Sequence, residues 1–93
     1  MAKKIRIPKP YRPPQTEAEE RKFGAVFGAR TARENITQYG CTFAEAYGLR
    51  DLPASLKADD TTTFDRAYTR AYIEMARKLG CRVPAQRIRV PRR

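Results

Sequence analysis

Apolar and small residues first gather into a helical pattern after Thr16. Phe23, Gly24, Ala25, Val26, Phe27, Gly28, Ala29, Ala32 and Ile36 recur until Tyr39, where Gly40 is a natural left-handed stop. Thr16 followed by Glu17, Glu19 and Glu20 reads as a capping box, in which a hydroxyl and a carboxylate satisfy orphan amides and the acids complement the helix dipole. A first long helix is therefore expected from about residue 17 to Tyr39. Within it, Gly24 and Gly28 leave two bare backbone patches one turn apart, which suits close packing against another helix of the same core.

Thr42-Phe-Ala-Glu45 repeats the capping pattern, and Gly48 follows soon after, which predicts a short second helix stopped at that glycine. Leu49 to Pro53 then reads as a connector, with Asp51 capping a brief turn over Ala54 to Lys57. The polar run 58–63 offers Asp60, Thr61 or Thr62 as the start of a third helix. Phe64, Ala67, Tyr68, Ala71, Tyr72, Met75 and Leu79 follow at steps of three or four and end at Gly80, an apolar stripe that must face the first helix. Antiparallel packing is expected across Phe23, Phe27, Ala67, Ala71 and Met75, with the short helix and its connector closing one end.

Outside these helices the pattern changes. Pro8, Pro10, Pro13 and Pro14 interleave with basic residues and Tyr11, so the first segment reads as an extended arm. After Gly80, Ile88 and Val90 alternate with Arg87 and Arg89 as in an extended tail. Ile5 and Ile7 alternate with Lys4 and Arg6 in the same way, so the two ends can pair as a ribbon, limited by Pro8 and Pro91. The expected fold class is mainly all-α: two long helices plus one short helix, with extended basic N- and C-terminal tails that are able to pair as a short ribbon. The organisation is a proline-rich arm over 1–15, a helical domain over 16–80 and a basic tail over 81–93.

Charge changes the picture most. The 93 residues carry 20 Lys and Arg against 10 Asp and Glu, a net +10 with no histidine. Residues 1–13 hold Lys3, Lys4, Arg6, Lys9 and Arg12 with no acid, and residues 77–93 hold Arg77, Lys78, Arg82, Arg87, Arg89, Arg92 and Arg93, again with none. The body between them is slightly acidic. Single-sign ends concentrate potential for a polyanion, and each cation set on a phosphate releases a counterion. Arg66, Arg70 and Arg77 add a row on one side of the third helix.

Other chemistry is sparse. Without histidine there is no Ser-His-Asp or Cys-His nucleophile pair, and two cysteines alone cannot complete a structural zinc site. Asp59 and Asp60 before Asp65 read as capping acids rather than a metal site, and neither a glycine-rich phosphate loop nor a nucleophile elbow occurs. An enzyme, a cofactor, a metal or a small-molecule substrate is therefore not expected. Neither is membrane association, since no run of 18 apolar residues exists and the first residues lack the apolar core of a signal peptide. A cytoplasmic location follows, with Cys41 and Cys81 expected as small buried thiols, because a bridge needs an oxidising compartment that nothing else suggests.

Two further patterns bear on function. Arg30, Glu34, Gly40 and Cys41 reappear forty residues on as Arg70, Glu74, Gly80 and Cys81, a faint sign of duplication, since the two glycines are helix stops in any case. Phe43 to Leu49 resembles the centre of a helix-turn-helix, with Ala44 followed four residues later by Gly48 and then Leu49. The stretch corresponding to a recognition helix contains Pro53, and Asp59 and Asp60 follow where phosphates would lie, so a packing helix is the better reading.

The function expected is non-enzymatic binding of nucleic acid, RNA or a ribonucleoprotein rather than a specific duplex site. The contacts fall to Lys3, Lys4, Arg6, Lys9, Tyr11, Arg12, Arg66, Arg70, Arg77, Lys78, Arg82, Arg87, Arg89, Arg92 and Arg93. The alternative is a small phage or mobile-element adaptor or inhibitor that docks on a protein or nucleoprotein complex.

Overall fold

A computed structural model describes residues 16–58, 60–84 and 88–89, and those residues are mostly helical with no strand among them. The first helix, α1, spans Glu17–Ala46 and opens on Thr16, whose hydroxyl accepts the Glu19 amide at 3.1 Å. It breaks at Gly40 (φ 84°, ψ 175°), a left-handed conformation that glycine adopts without steric cost. Beyond the break a second helical run continues through a π-turn over Tyr47–Asp51 into α2, Leu52–Ser55. The third rod, α3, spans Thr63–Lys78.

The expected stop at Gly48 is overturned. Gly48 is not among the positive-φ glycines, and it lies buried with Tyr72, Ile73 and Val83 as its neighbours. Pro53 does not end the run either, because the π-turn resets the ladder just before it. The Leu52 amide reaches back five residues to the Tyr47 carbonyl, and the wider turn accommodates a residue that lacks an N–H. One helical run therefore occupies the stretch that resembled a helix-turn-helix, and the turn on which that likeness rests is absent.

Local chemistry fixes both ends of α3. Thr62 and Asp65 form a reciprocal capping box, with amide-to-side-chain distances of 3.1 and 3.0 Å. At the other end Gly80 (φ 97°) donates to Arg77 and Cys81 donates to Ala76, the paired bonds of a Schellman stop.

The long helices are parallel, not antiparallel. The Phe64 amide donates to the Glu20 carboxylate at 3.3 Å, Gly24 lies against Phe64 and Ala67, Gly28 against Tyr68, and Asn35 donates to the Tyr72 hydroxyl at 2.8 Å. Positions on both helices thus advance together. The run after Gly40 must return the chain from the far end of α1 to the level where α3 begins. Gly24 and Gly28 set the register, because a Cβ at either would strike the backbone of α3. The offset of forty noted in the sequence is this register, with Gly24 beside Phe64 and Cys41 beside Cys81.

Burial on α3 is also rotated from the expected stripe. Thr63, Ala67, Thr69, Tyr72, Ile73 and Ala76 are the buried positions, whereas Met75 is half-buried and Leu79 is 44% exposed. The reason is that α3 packs on two neighbours, α1 on one side and the returning run with the chain after Gly80 on the other. The core comprises Ala32, Ala44, Leu52, Tyr72, Ile73, Ala76, Cys81 and Val83, with Ile88 packed against it. Buried Thr69 satisfies its hydroxyl on the Asp65 carbonyl at 2.9 Å.

Candidate nucleic-acid interface

Arg66, Arg70 and Arg77 lie at helical spacing around the buried Ile73 of α3, with Arg70 and Arg77 exposed and Arg66 half-buried. The row is not purely cationic. Glu74 lies on it and takes the Arg70 Nε at 3.3 Å, an exposed pair of small energetic worth. The Arg66 Nε is buried without a hydrogen-bond partner. Lys78, Arg82 and Arg89 are exposed. Arg77 and Lys78 stand in the last turn of α3, where they also complement the negative end of the helix dipole. Lys3, Lys4, Arg6, Lys9, Tyr11, Arg12, Arg87, Arg92 and Arg93 lie outside the described residues, as do Ile5, Ile7 and Val90 of the expected ribbon.

Averaging the charge of the body hid a segregation. Several acids are held by local partners: Glu20 by the Phe64 amide, Asp65 by Thr62, Asp51 by Arg50, Glu74 by Arg70, and Glu45 by the Arg82 amide at 2.7 Å. On α1, meanwhile, Lys22, Arg30 and Arg33 are exposed on the side away from Gly24, Gly28 and Ala32. Those three form a second basic face, on the side of α1 turned from α3, and escaped the sequence reading, which weighed the ends against the middle as a whole.

The aromatic residues were missed as a set. Ring contacts run without a gap from Tyr39 to Phe43 (4.9 Å between centroids), Tyr47 (6.1 Å), Tyr72 (4.9 Å), Tyr68 (6.4 Å), Phe64 (6.2 Å), Phe27 (6.0 Å) and Phe23 (6.2 Å). Every aromatic side chain except Tyr11, which lies outside the described residues, belongs to this chain. A signal was available: Phe23 and Phe27, then Phe43 and Tyr47, then Phe64, Tyr68 and Tyr72 recur at steps of four, which stacks side chains along one helix face, and Tyr39 joins Phe43 across the break at Gly40. In the middle of the chain the phenols resist ionisation. Burial raises the Tyr47 hydroxyl far above its ordinary range, with the Tyr68 hydroxyl adding to the effect, and burial raises Tyr72 despite the opposing hydrogen bond from Asn35.

The rings emerge at the end where the long helices are joined covalently. Cys41 and Cys81, expected as free thiols, form a disulfide with Cα atoms 5.3 Å apart. Each follows a left-handed glycine, and the parallel register brings the two turns together, which spacing along the chain could not reveal. Glu45 lies close enough to complete a three-donor group with both sulfurs, but bonded sulfurs have no thiolate to offer a metal. No helix among the described residues is long and apolar enough to cross a membrane. Comparison with protein-family models, curated proteins and solved structures finds no match to this chain.

Proposed function

We propose that the protein binds nucleic acid, RNA or a ribonucleoprotein before duplex DNA, and catalyses no reaction. The observation that carries this reading is the exposure of cations: several acids are engaged in caps and pairs, while Lys22, Arg30, Arg33, Arg77, Lys78 and Arg82 face outward in a chain of net +10. Exposed cations hold phosphates, and displaced counterions supply the driving force. It positions a strand and reads no sequence. The basic segments outside the described residues would extend the same contacts.

The reading places the chain in the cytoplasm, where the thiol pool acts to open the Cys41–Cys81 bridge. Both redox forms therefore belong in the assay. The purified protein, oxidised and reduced, is titrated against single-stranded RNA, single-stranded DNA and duplex DNA across a salt series. Affinity should fall linearly on a log-log plot, and exchanging Arg77, Lys78 and Arg82 for Gln should flatten the slope by roughly 2 to 3. Absence of binding at low salt would overturn the reading and point to an acidic protein surface as the partner.

A further inference from the structure

Tyr39 is the outer terminus of the aromatic chain. Its ring contacts Phe43, and it is 61% exposed, the most exposed of the large apolar side chains among the described residues. Phe43 and Leu79, each more than two-fifths exposed, stand with it: all three lie two residues from a bridged cysteine. A lone exposed tyrosine needs no explanation. Here, however, three of the five exposed large apolar side chains among the described residues stand near one covalently held end, and that end also carries Arg77, Lys78 and Arg82. Helix α1 breaks immediately after Tyr39, so the ring belongs to the last turn before the break.

We infer that Tyr39, backed by Phe43, is a stacking seat for an unpaired base of a single-stranded nucleic acid, with the neighbouring phosphates on Arg77, Lys78 and Arg82. This rests on the nucleic-acid reading and narrows it to single strands. Three features select that occupant. Phosphate complements the local cations Arg77, Lys78 and Arg82, which outnumber the acids on the same end, Glu45 and the Arg70-paired Glu74. A base offers a flat π-face to continue a series that already runs from Tyr39 through Phe43 to Tyr47, with successive interplanar angles of 38° and 25°. A duplex keeps its base faces stacked internally and has none free for Tyr39.

The test uses the full chain and fluorescence anisotropy of a labelled oligouridine and of a duplex of equal length. Tyr39→Leu keeps an apolar side chain and removes the ring; Tyr39→Phe restores the ring without the hydroxyl. The inference expects Tyr39→Leu to weaken oligouridine binding by between about five-fold and a hundred-fold, with duplex affinity and salt slope unchanged and Tyr39→Phe close to wild type. Because the chain has no tryptophan, quenching of tyrosine emission by the unlabelled strand gives a second readout, reduced in Tyr39→Leu. Equal affinity of wild type and Tyr39→Leu for oligouridine overturns the stacking seat and leaves the phosphate surface standing. So does a loss shared equally by single strand and duplex. Failure of the wild-type protein to bind either polymer at low salt overturns both readings together.

Discussion

The two ends of the parallel helix pair are held by different means. Where α1 and α3 begin, the contact is backbone on backbone: Gly24 and Gly28 let α3 approach until Phe64 and Tyr68 touch the α1 axis, and Phe27 meets Phe64 edge to face. Where the helices end, small residues give way to a covalent link between the residues after Gly40 and Gly80, and bulky rings are left outside. One end depends on what is absent from two side chains. The other adds a covalent bond to the core around Ala44, Ala76, Cys81 and Val83, and leaves Tyr39, Phe43 and Leu79 exposed.

Breaking the bond should have the largest effect. Cys41 and Cys81 are 40 residues apart, so on chain-entropy grounds reduction, or Cys81→Ser, should cost roughly 4 kcal/mol. For a domain this small that lowers Tm by roughly 15 to 30 °C, read by circular dichroism with and without reductant. Identical melting curves would show that the bridge does not form in solution.

At the glycine end, Gly28→Ala should cost roughly 1 to 3 kcal/mol, since the new Cβ meets the Tyr68 backbone and the helices must part. Retained stability in that variant would remove the close approach from the fold. Between the two ends, the buried phenols predict sensitivity to alkali. Tyr47 and Tyr72 keep their protons in the folded state above the ordinary tyrosine value of 10.0, while the unfolded chain loses them there. Their contribution is complete below about pH 10 and falls as pH rises beyond it. Denaturant midpoints at pH 8 and pH 11 check the sign.

Gly48→Ala supplies the smallest effect and the sharpest contrast with Gly28. Its Cβ meets Ile73 and Tyr72 at the ordinary distances of 3.6 and 3.7 Å within a helical run. The substitution should therefore be neutral or stabilise by about 0.5 to 1 kcal/mol. A destabilised Gly48→Ala would mean that the second run packs as tightly as the first pair.

The positions legible in the sequence share a physical basis: each is decided within about four residues. Thr16 and Thr62 cap because their hydroxyls reach amides three residues on, and Gly40 and Gly80 stop helices because of their own backbone freedom. The Gly24 and Gly28 patch was correctly legible as a packing face, since bare backbone invites another helix. Gly48 misled for the complementary reason. A glycine can end a helix or admit a neighbour, and only the presence of Tyr72, Ile73 and Val83 decides between them. Pro53 misled because the sequence does not display the π-turn that absorbs it. Of the candidate site, the cationic residues were legible by type, but periodicity did not show that Arg66 is half-buried while Arg70 and Arg77 are exposed. The α1 cations and the stacking end were not, since their accessibility depends on which faces the other elements cover.

The sequence by itself determined the two long helices, the caps at Thr16 and Thr62, and the excess of positive charge, because propensity, capping and composition are local or additive. The tertiary structure alone decided that α1 and α3 run parallel, that Cys41 meets Cys81, and that separate aromatic repeats join into one chain ending in the open at Tyr39. Those outcomes depend on contacts between residues about forty positions apart, and helical periodicity describes a face without naming what will cover it.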